Sequence, residues 1–309
     1  MGSPTKKSAS ELHSLDQQLA GTGAVLRIGP ISTRVAIGFP SIRQQFLKIY
    51  QDYCFPTEPE IIDHRLTVYA RNLFRRYIRP QATINTLMND DFVPLPESMG
   101  LLSVEMGMNW QVAFGCKTHI LFHAGVVERD GIGLIIPAIS GSGKSTLSAG
   151  LSYDGWRFFS DEFGMLDPAS GLLYPYPRPV SLKNESIAVM KSWVKDETCF
   201  SPEYRKTPKG TICYLRPPVD SLKRMDEPAR PRLVIHPIFD PNATPSCRRL
   251  TQTMAFFRLV RSSANYGDIG EAAFAALSQL SAECQSYEIT YSTLEEAIAL
   301  VNQIVDDLA

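Results

Sequence analysis

The run Ser140-Gly141-Ser142-Gly143-Lys144-Ser145-Thr146 combines two glycines, several hydroxyls and one cation in seven positions. Glycines at 141 and 143 allow successive backbone N–H groups to curl around phosphate oxygens, and a following helix presents its positive N-terminus to the same anion. In that arrangement Lys144 reaches the β/γ-phosphates of ATP and the Ser145 hydroxyl ligates Mg²⁺. The competing reading is a Gly/Ser turn with an incidental lysine. A second requirement of phosphoryl chemistry is a carboxylate that holds Mg²⁺ or takes a proton. Asp161 and Glu162 follow Lys144 by 17 and 18 residues, after the apolar Trp156, Phe158 and Phe159. Taken alone, an apolar stretch ending in acids is usually a strand leading into a solvated turn.

These groups need a scaffold, and the surrounding texture supplies one. From Thr118 the chain reads strand, turn, strand, loop, helix, strand, with GLIIPA before the glycines and STLSAGLSYDG after them. That order is the first unit of an α/β nucleotide-binding domain, and it puts the acids at a strand's carboxyl end, where ligands gather in open sheets. The loop resembles a Walker A motif, with Ala138 in place of its first glycine. The Gly131-Ile132-Gly133 stretch has no dinucleotide fingerprint and reads as a hairpin turn.

Ahead of this unit, residues 1–23 are polar and are expected to be disordered, and 24–117 form a smaller α+β region. There, VLRIGPISTRVAIGF predicts a hairpin around Gly29-Pro30, and PSIRQQFLKIYQDY a helix with Ile42, Phe46, Ile49 and Tyr50 on one face. The arginine-rich RLTVYARNLFRRYIRP reads as strand with a solvated basic side. The P-loop domain is assigned to 118–309. Within it, the proline-rich 196–231 excludes long regular elements and has the character of a substrate-covering loop or a surface excursion. Thr293 and Glu296 form a capping box for a final helix with Ile298, Val301, Val305 and Leu308 along one stripe.

Composition bounds the class. The 309 residues carry 31 Lys+Arg against 32 Asp+Glu, a formal charge of -1, which disfavours a nucleic-acid scaffold or an anionic membrane as partner. Hydrophobic residues at 44% and charged residues at 20% exclude a mostly disordered chain. No apolar run reaches bilayer length, and the N-terminus lacks a secretion signal, so a cytoplasmic location is expected. Gly2 does not make a myristoylation site, because Lys6 stands where Ser or Thr is needed. Six cysteines are scattered singly, without metal-ligand spacing, and read as reduced thiols; the proximity of Cys116 to His119 and His123 is coincidence. His64, His119 and His236 read as structural.

His123, GIGLIIPAISGSGKST and GWRFFSDE together resemble the catalytic domain of bacterial HPr kinase/phosphorylase. That family's pattern is a His, a Gly-x-Gly-x-Leu strand, an S-G-x-G-K-S loop and an Asp-Asp pair. The match covers about 50 residues, and His123 precedes Lys144 by the fitting 21 residues. The resemblance implies that Lys144 binds phosphate, Ser145 binds Mg²⁺, His123 lies beside the transferring phosphate, and the acid pair contains the base. Glu162 replaces the second aspartate, and the downstream signature that helps engage HPr is not recognisable, so HPr is not implied as substrate. PRPVSLKNESI, TPKGTICYLRPP and FFRLVRSSANYG look more like the HPr-kinase-related kinases of peptide-modifying systems, including lasso-peptide kinases. This second likeness suggests that Lys183, Glu185, Lys209 and Arg216 line the site. Glu185 would complete the Mg²⁺ shell beside Ser145 and Asp161, and Lys209 and Arg216 would clamp phosphate or an acidic substrate. Exposed charges on a proline-rich loop are the alternative for each.

The resulting expectation is an ATP- and Mg²⁺-dependent kinase acting on a hydroxyl, with Ser of a peptide or protein encoded nearby as the acceptor. The alternatives are a kinase of a small hydroxylated metabolite and a nucleotide-dependent switch with little transferase activity. The sequence names neither the acceptor nor the oligomeric state, and a homo-oligomer stays open.

Overall fold

The computed structural model describes residues 7–57, 61–86, 88, 92–137 and 141–308. The chain opens with helix α1 (Ala9–Ala20), whose Ser8 and Glu11 form a capping box and whose Leu15 and Leu19 are buried. The expected disorder of 1–23 is therefore corrected over α1: apolar residues four apart give even a polar segment one stripe to bury. Strands β1 (Ala24–Ile28) and β2 (Ile31–Ile37) make the expected hairpin, with Gly29 at φ +51°. Helix α2 (Pro40–Tyr50) starts with proline at its first turn and buries Ile42, Phe46, Ile49 and Tyr50. It is the crossover that lets β3 (His64–Tyr69) lie parallel to β2.

The basic stretch after β3 forms a short helix, α3 (Leu73–Tyr77), where strand was expected; Asn72 caps it by accepting the Arg75 N–H. Strands β4 (Gln81–Thr86) and β5 (Leu95–Pro96) complete a sheet of order β1-β2-β3-β4-β5. Helix α4 (Gly100–Gly115) packs across β3 and β4.

The second half contains β6 (Ile120–Phe122), β7 (Ala124–Arg129), β8 (Ile132–Pro137), α5 (Lys144–Tyr153), β9 (Arg157–Ser160), β10 (Gly164–Leu166), β11 (Leu173–Tyr174) and β12 (Val180–Lys183). Then come α6 (Glu185–Val194), β13 (Tyr204–Thr207), β14 (Gly210–Leu215), α7 (Val219–Lys223) and β15 (Arg230–Phe239). The chain ends with β16 (Ser246–Arg249), α8 (Gln252–Ser262), α9 (Tyr266–Ile269), α10 (Glu271–Glu283), β17 (Gln285–Tyr291) and α11 (Leu294–Asp306).

A six-stranded sheet of order β16-β17-β15-β8-β7-β9 carries helices on both faces. On β8, Leu134 and Ile136 join the core under α5 and α11, while Ile135 joins the core under α8 and α10. Such alternation with both faces apolar is what a sheet buried between two helical layers requires. The proline-rich 196–231 holds only short elements, β13, β14 and α7, and runs into β15, a long central strand whose Pro231 falls where the register against β8 shifts. Helix α11 keeps its Thr293–Glu296 capping box. Six of its residues are buried, at roughly 1.5–3 kcal/mol for each large one against about 1 kcal/mol for the cap, so packing rather than capping holds it.

The assignment of separate regions on either side of 117/118 does not correspond to a break in the core. Leu26, Phe46 and Val104 share one apolar cluster with Phe163, Tyr176, Ile212 and Tyr214. Polar ties cross the same seam, among them Tyr53 Oη donating to the Pro177 carbonyl at 2.8 Å and Tyr204 Oη to Gln45 Oε1 at 2.7 Å. Among the described residues no helix is long and apolar enough to cross a membrane.

Candidate active site

Strand directions bring the chemical residues to one edge. β7 runs antiparallel to both β8 and β9, so its first residues lie beside the last residues of each: Ala124 pairs with Pro137, and Val126 with Ser160. The end of β8, the acids that leave β9 and the histidine that enters β7 thus meet there. A second pairing sharpens this. β6 is antiparallel to β10, with Phe122 opposite Gly164, so His123 and residues 161–163 are the two parallel-lying turns between the same pairs of strands. The Ser160 hydroxyl accepts the N–H groups of Glu162 at 3.2 Å and Phe163 at 3.0 Å, which ends β9 and turns the acids outward. The His123 N–H is fixed at 2.7 Å on the Ser262 carbonyl at the end of α8.

Lys144 opens α5, is buried, and donates from Nζ to the Asp161 carbonyl. Asp161 is also buried, and its Oδ2 accepts the Ser181 N–H at 3.1 Å. Glu162 is half-buried, with Oε1 at 3.7 Å from His123 Nδ1. Burial pushes the Asp161 carboxyl above its ordinary value against the pull of Lys144. For Glu162 burial pushes the same way, but Lys144 foremost, then His123, Lys183 and Arg178, outweigh it and hold the carboxyl below the usual glutamate value. Burial and then Lys144 lower the His123 pKa, which favours neutral imidazole. Burial lowers that of Lys144, opposed by the two acids.

The phosphate-loop candidate is described from Gly141 onward; Ser140, with Ala138 and Ile139, lies outside the described residues. Gly141 and Gly143 adopt φ +93° and +89°, a region that glycine enters without steric cost. Gly143 is the N-cap of α5, followed by Lys144, Ser145 and Thr146 in the first turn. Tyr291, at the end of β17, carries no sequence signal that links it to the loop. Its ring lies against Gly143, where a Cβ would fall well inside contact distance of Oη, and Oη donates to the Ser142 carbonyl at 3.4 Å.

A cavity of about 220 Å³ adjoins the acids. Asp161, Glu162 and Lys183 form one side, Leu102, Met106 and Asn109 of α4 another, and Thr207, Pro208 and Lys209 at the tip of the β13–β14 hairpin a third. The contribution of α4 was also unforeseen. Arg178 in the wall is buried against Glu105, to which Nη2 donates, and its Nη1 donates to Asn109 Oδ1. Tyr50 Oη donates to the same Glu105.

One expected site residue stands elsewhere. Arg216 is not in the cavity wall; its guanidinium pairs with Asp52 at 3.1 Å and with the Lys48 carbonyl, joining β14 to the α2 region. A buried arginine beside a buried carboxylate is committed to that partner, which corrects its assignment as a phosphate or substrate clamp. Glu185 opens α6 with an exposed side chain and, like Ser145, is not among the residues that line this cavity. Among the described residues no three His, Cys, Asp or Glu side chains gather as a metal cage. Mg²⁺ held through nucleotide phosphates needs only one or two protein oxygens, so Ser145 with Asp161 suffices as a donor set.

No protein-family model and no curated protein matches the chain. Among solved structures, the HPr(Ser) kinase/phosphatase of Coxiella burnetii is similar over 60% of this chain and 98% of its own, at 14% identity and a TM-score of 0.27. At that score the likeness bears on neither fold nor activity.

Proposed function

We propose that the chain is a phosphotransferase that moves the γ-phosphoryl group of ATP to a hydroxyl, with serine of a peptide or protein as the acceptor. The observation that carries this reading is the bond from Lys144, first residue of the helix behind the glycine loop, to the carbonyl of Asp161 in the acid pair. It ties an anion-binding helix start to two carboxylates beside a cavity.

In this reading the N–H groups after Gly141 and the Lys144 ammonium hold the phosphates and neutralise charge that grows during transfer. Ser145 and Asp161 would hold Mg²⁺, which when bound supplies further charge neutralisation and fixes the phosphate orientation. Glu162 accepts the acceptor's proton as its oxygen bonds to the γ-phosphorus, while the bond from phosphorus to the bridging oxygen breaks and ADP leaves. His123, with Nδ1 at 3.7 Å from Glu162 Oε1, would lie beside the transferring phosphate. A hydroxyl needs such a carboxylate, whereas a histidine nitrogen or a carboxylate acceptor does not.

The test is radiolabel transfer from γ-labelled ATP in extracts of the source cells, followed by phosphoamino-acid analysis. Acid-stable, base-labile phosphoserine is expected, and acid-labile phosphohistidine would remove the reading. The cavity's modest volume, below the roughly 300–1,000 Å³ of typical small-molecule sites, favours a compact hydroxylated metabolite as the second reading.

A further inference from the structure

The wall of the cavity beside the acids is chemically divided. On α4, Leu102 and Met106 are four residues apart and share a face, so one side is apolar. Lys183 and Lys209 stand in the wall as cations; Lys183 acts on the acid pair, whereas Lys209 makes no ion pair among the described residues. Arg178, in contrast, is neutralised by Glu105, yet its buried Nε is a donor with no hydrogen-bond partner. Every other charge in the wall is an acid, and both Asp161 and Glu162 have a use in the proposed transfer. The uncommitted charge is therefore positive.

The rim adds a second constraint. Pro208, Lys209 and Met106 are exposed, so a bound group reaches the acids from the surface and remains continuous with it. A cavity of about 220 Å³ has room for one or two residues of a chain and little more. We infer that this cavity is the acceptor site, and that it takes a serine in an acidic peptide segment, with an apolar neighbour against Leu102 and Met106 and a carboxylate against Lys209. The inference rests on the phosphotransferase reading and deepens it. It gives the N-terminal half, through α4, a direct part in choosing the substrate.

The experiment uses the full chain, Mg·ATP labelled at the γ position, and three serine-centred decapeptide libraries flanked by Glu, by Ala or by Lys. Labelling of the Glu-flanked library about tenfold above the Lys-flanked one is expected, the size of a modest electrostatic preference. Lys209→Glu, at an exposed hairpin tip, should abolish or reverse that preference while the Kd for ATP stays unchanged. Met106→Glu, on the exposed side of α4, should raise the KM for the Glu-flanked library about tenfold with kcat held. Equal labelling of all libraries, or an acidic preference that survives both substitutions, overturns the site and leaves the kinase reading standing. Free serine or another small alcohol labelled in preference to every library overturns it in favour of a metabolite pocket. Failure of ATP to bind, or its turnover without any acceptor dependence, counts against the phosphotransferase reading itself.

Discussion

The ammonium of Lys144 is bonded to the backbone carbonyl of Asp161, which ties the helix start behind the glycine loop to the acid pair. Lys144→Ala removes both the link and the buried cation. Transfer should fall by about 10²–10³, the scale of a lost preorganised charge, with weakened ATP binding. Lys144→Arg should not restore it, since a planar fork cannot enter the same buried space. Full activity in Lys144→Ala would end the assignment of this loop to phosphate.

Glu162 and Asp161 are adjacent in sequence and differ in setting. Asp161 is tethered to Ser181 and buried, whereas Glu162 faces His123 and the cavity. Glu162→Gln should therefore retain nucleotide binding while transfer drops by ~10² or more, as for a lost general base. Asp161→Asn should instead raise the Mg²⁺ concentration required. If the two variants exchange these behaviours in a magnesium titration, the roles are reversed.

The local parts of this arrangement were legible in the sequence, because each rests on a short pattern. The turn at Gly29-Pro30, the α2 stripe, the Thr293–Glu296 cap and the order of elements from β6 to β9 all follow from spacing of neighbours. α1 was legible too, since Ser8 and Glu11 have capping-box spacing, but its polar composition obscured the signal. What the sequence could not carry is non-local. α4 is apolar nearly all round, so periodicity does not show which face meets the cavity. Arg216 looked like a free cation because its partner Asp52 lies on the far side of the chain's midpoint. Tyr291 reaches Gly143 only through the parallel pairing of β15 with β8 and β17.

Gly141 and Gly143 offer a controlled comparison. Both have positive φ, so alanine at either carries the left-handed penalty of roughly 1–2 kcal/mol, near tenfold in ATP affinity if the loop must hold that shape. A Cβ at Gly141 meets nothing, whereas at Gly143 it collides with Tyr291. Gly143→Ala should therefore be the more damaging by at least tenfold in ATP affinity, measured by calorimetry. Adding Tyr291→Ala should recover part of that difference and none of the Gly141→Ala loss. Equal effects of the two glycine substitutions would remove Tyr291 as a support of the loop.

The pair Arg216–Asp52 predicts a change in stability with little change in chemistry. Arg216→Met leaves the Asp52 carboxylate uncompensated in a buried position, which costs about 3–5 kcal/mol. Arg216→Met with Asp52→Leu should recover most of it. Urea unfolding gives the stabilities, and KM for ATP measured below the unfolding transition should stay within about twofold in both variants. A large rise in KM in the double variant would return Arg216 to the site.

His236 supplies the pH dependence. It is buried on β15, and burial, aided by Arg258 and opposed by Glu288, lowers its pKa to about 4. Its Nε2 has no hydrogen-bond partner among the described residues. An unfolded chain binds a proton at this residue near pH 6.5, before the native protein does, so native stability falls as pH drops from about 6.5 toward 4. The loss attributable to this residue is about 2–4 kcal/mol over that window. His236→Gln keeps a neutral polar side chain and removes the titration, while carboxylate contributions are common to both proteins and cancel in the difference. The stability of wild type relative to His236→Gln, from urea midpoints at pH 7.5, 6, 5 and 4.5, should decline steadily with acidification. A difference that stays flat across the series would mean that the imidazole protonates in place at its ordinary pKa, with room in the fold for its charge.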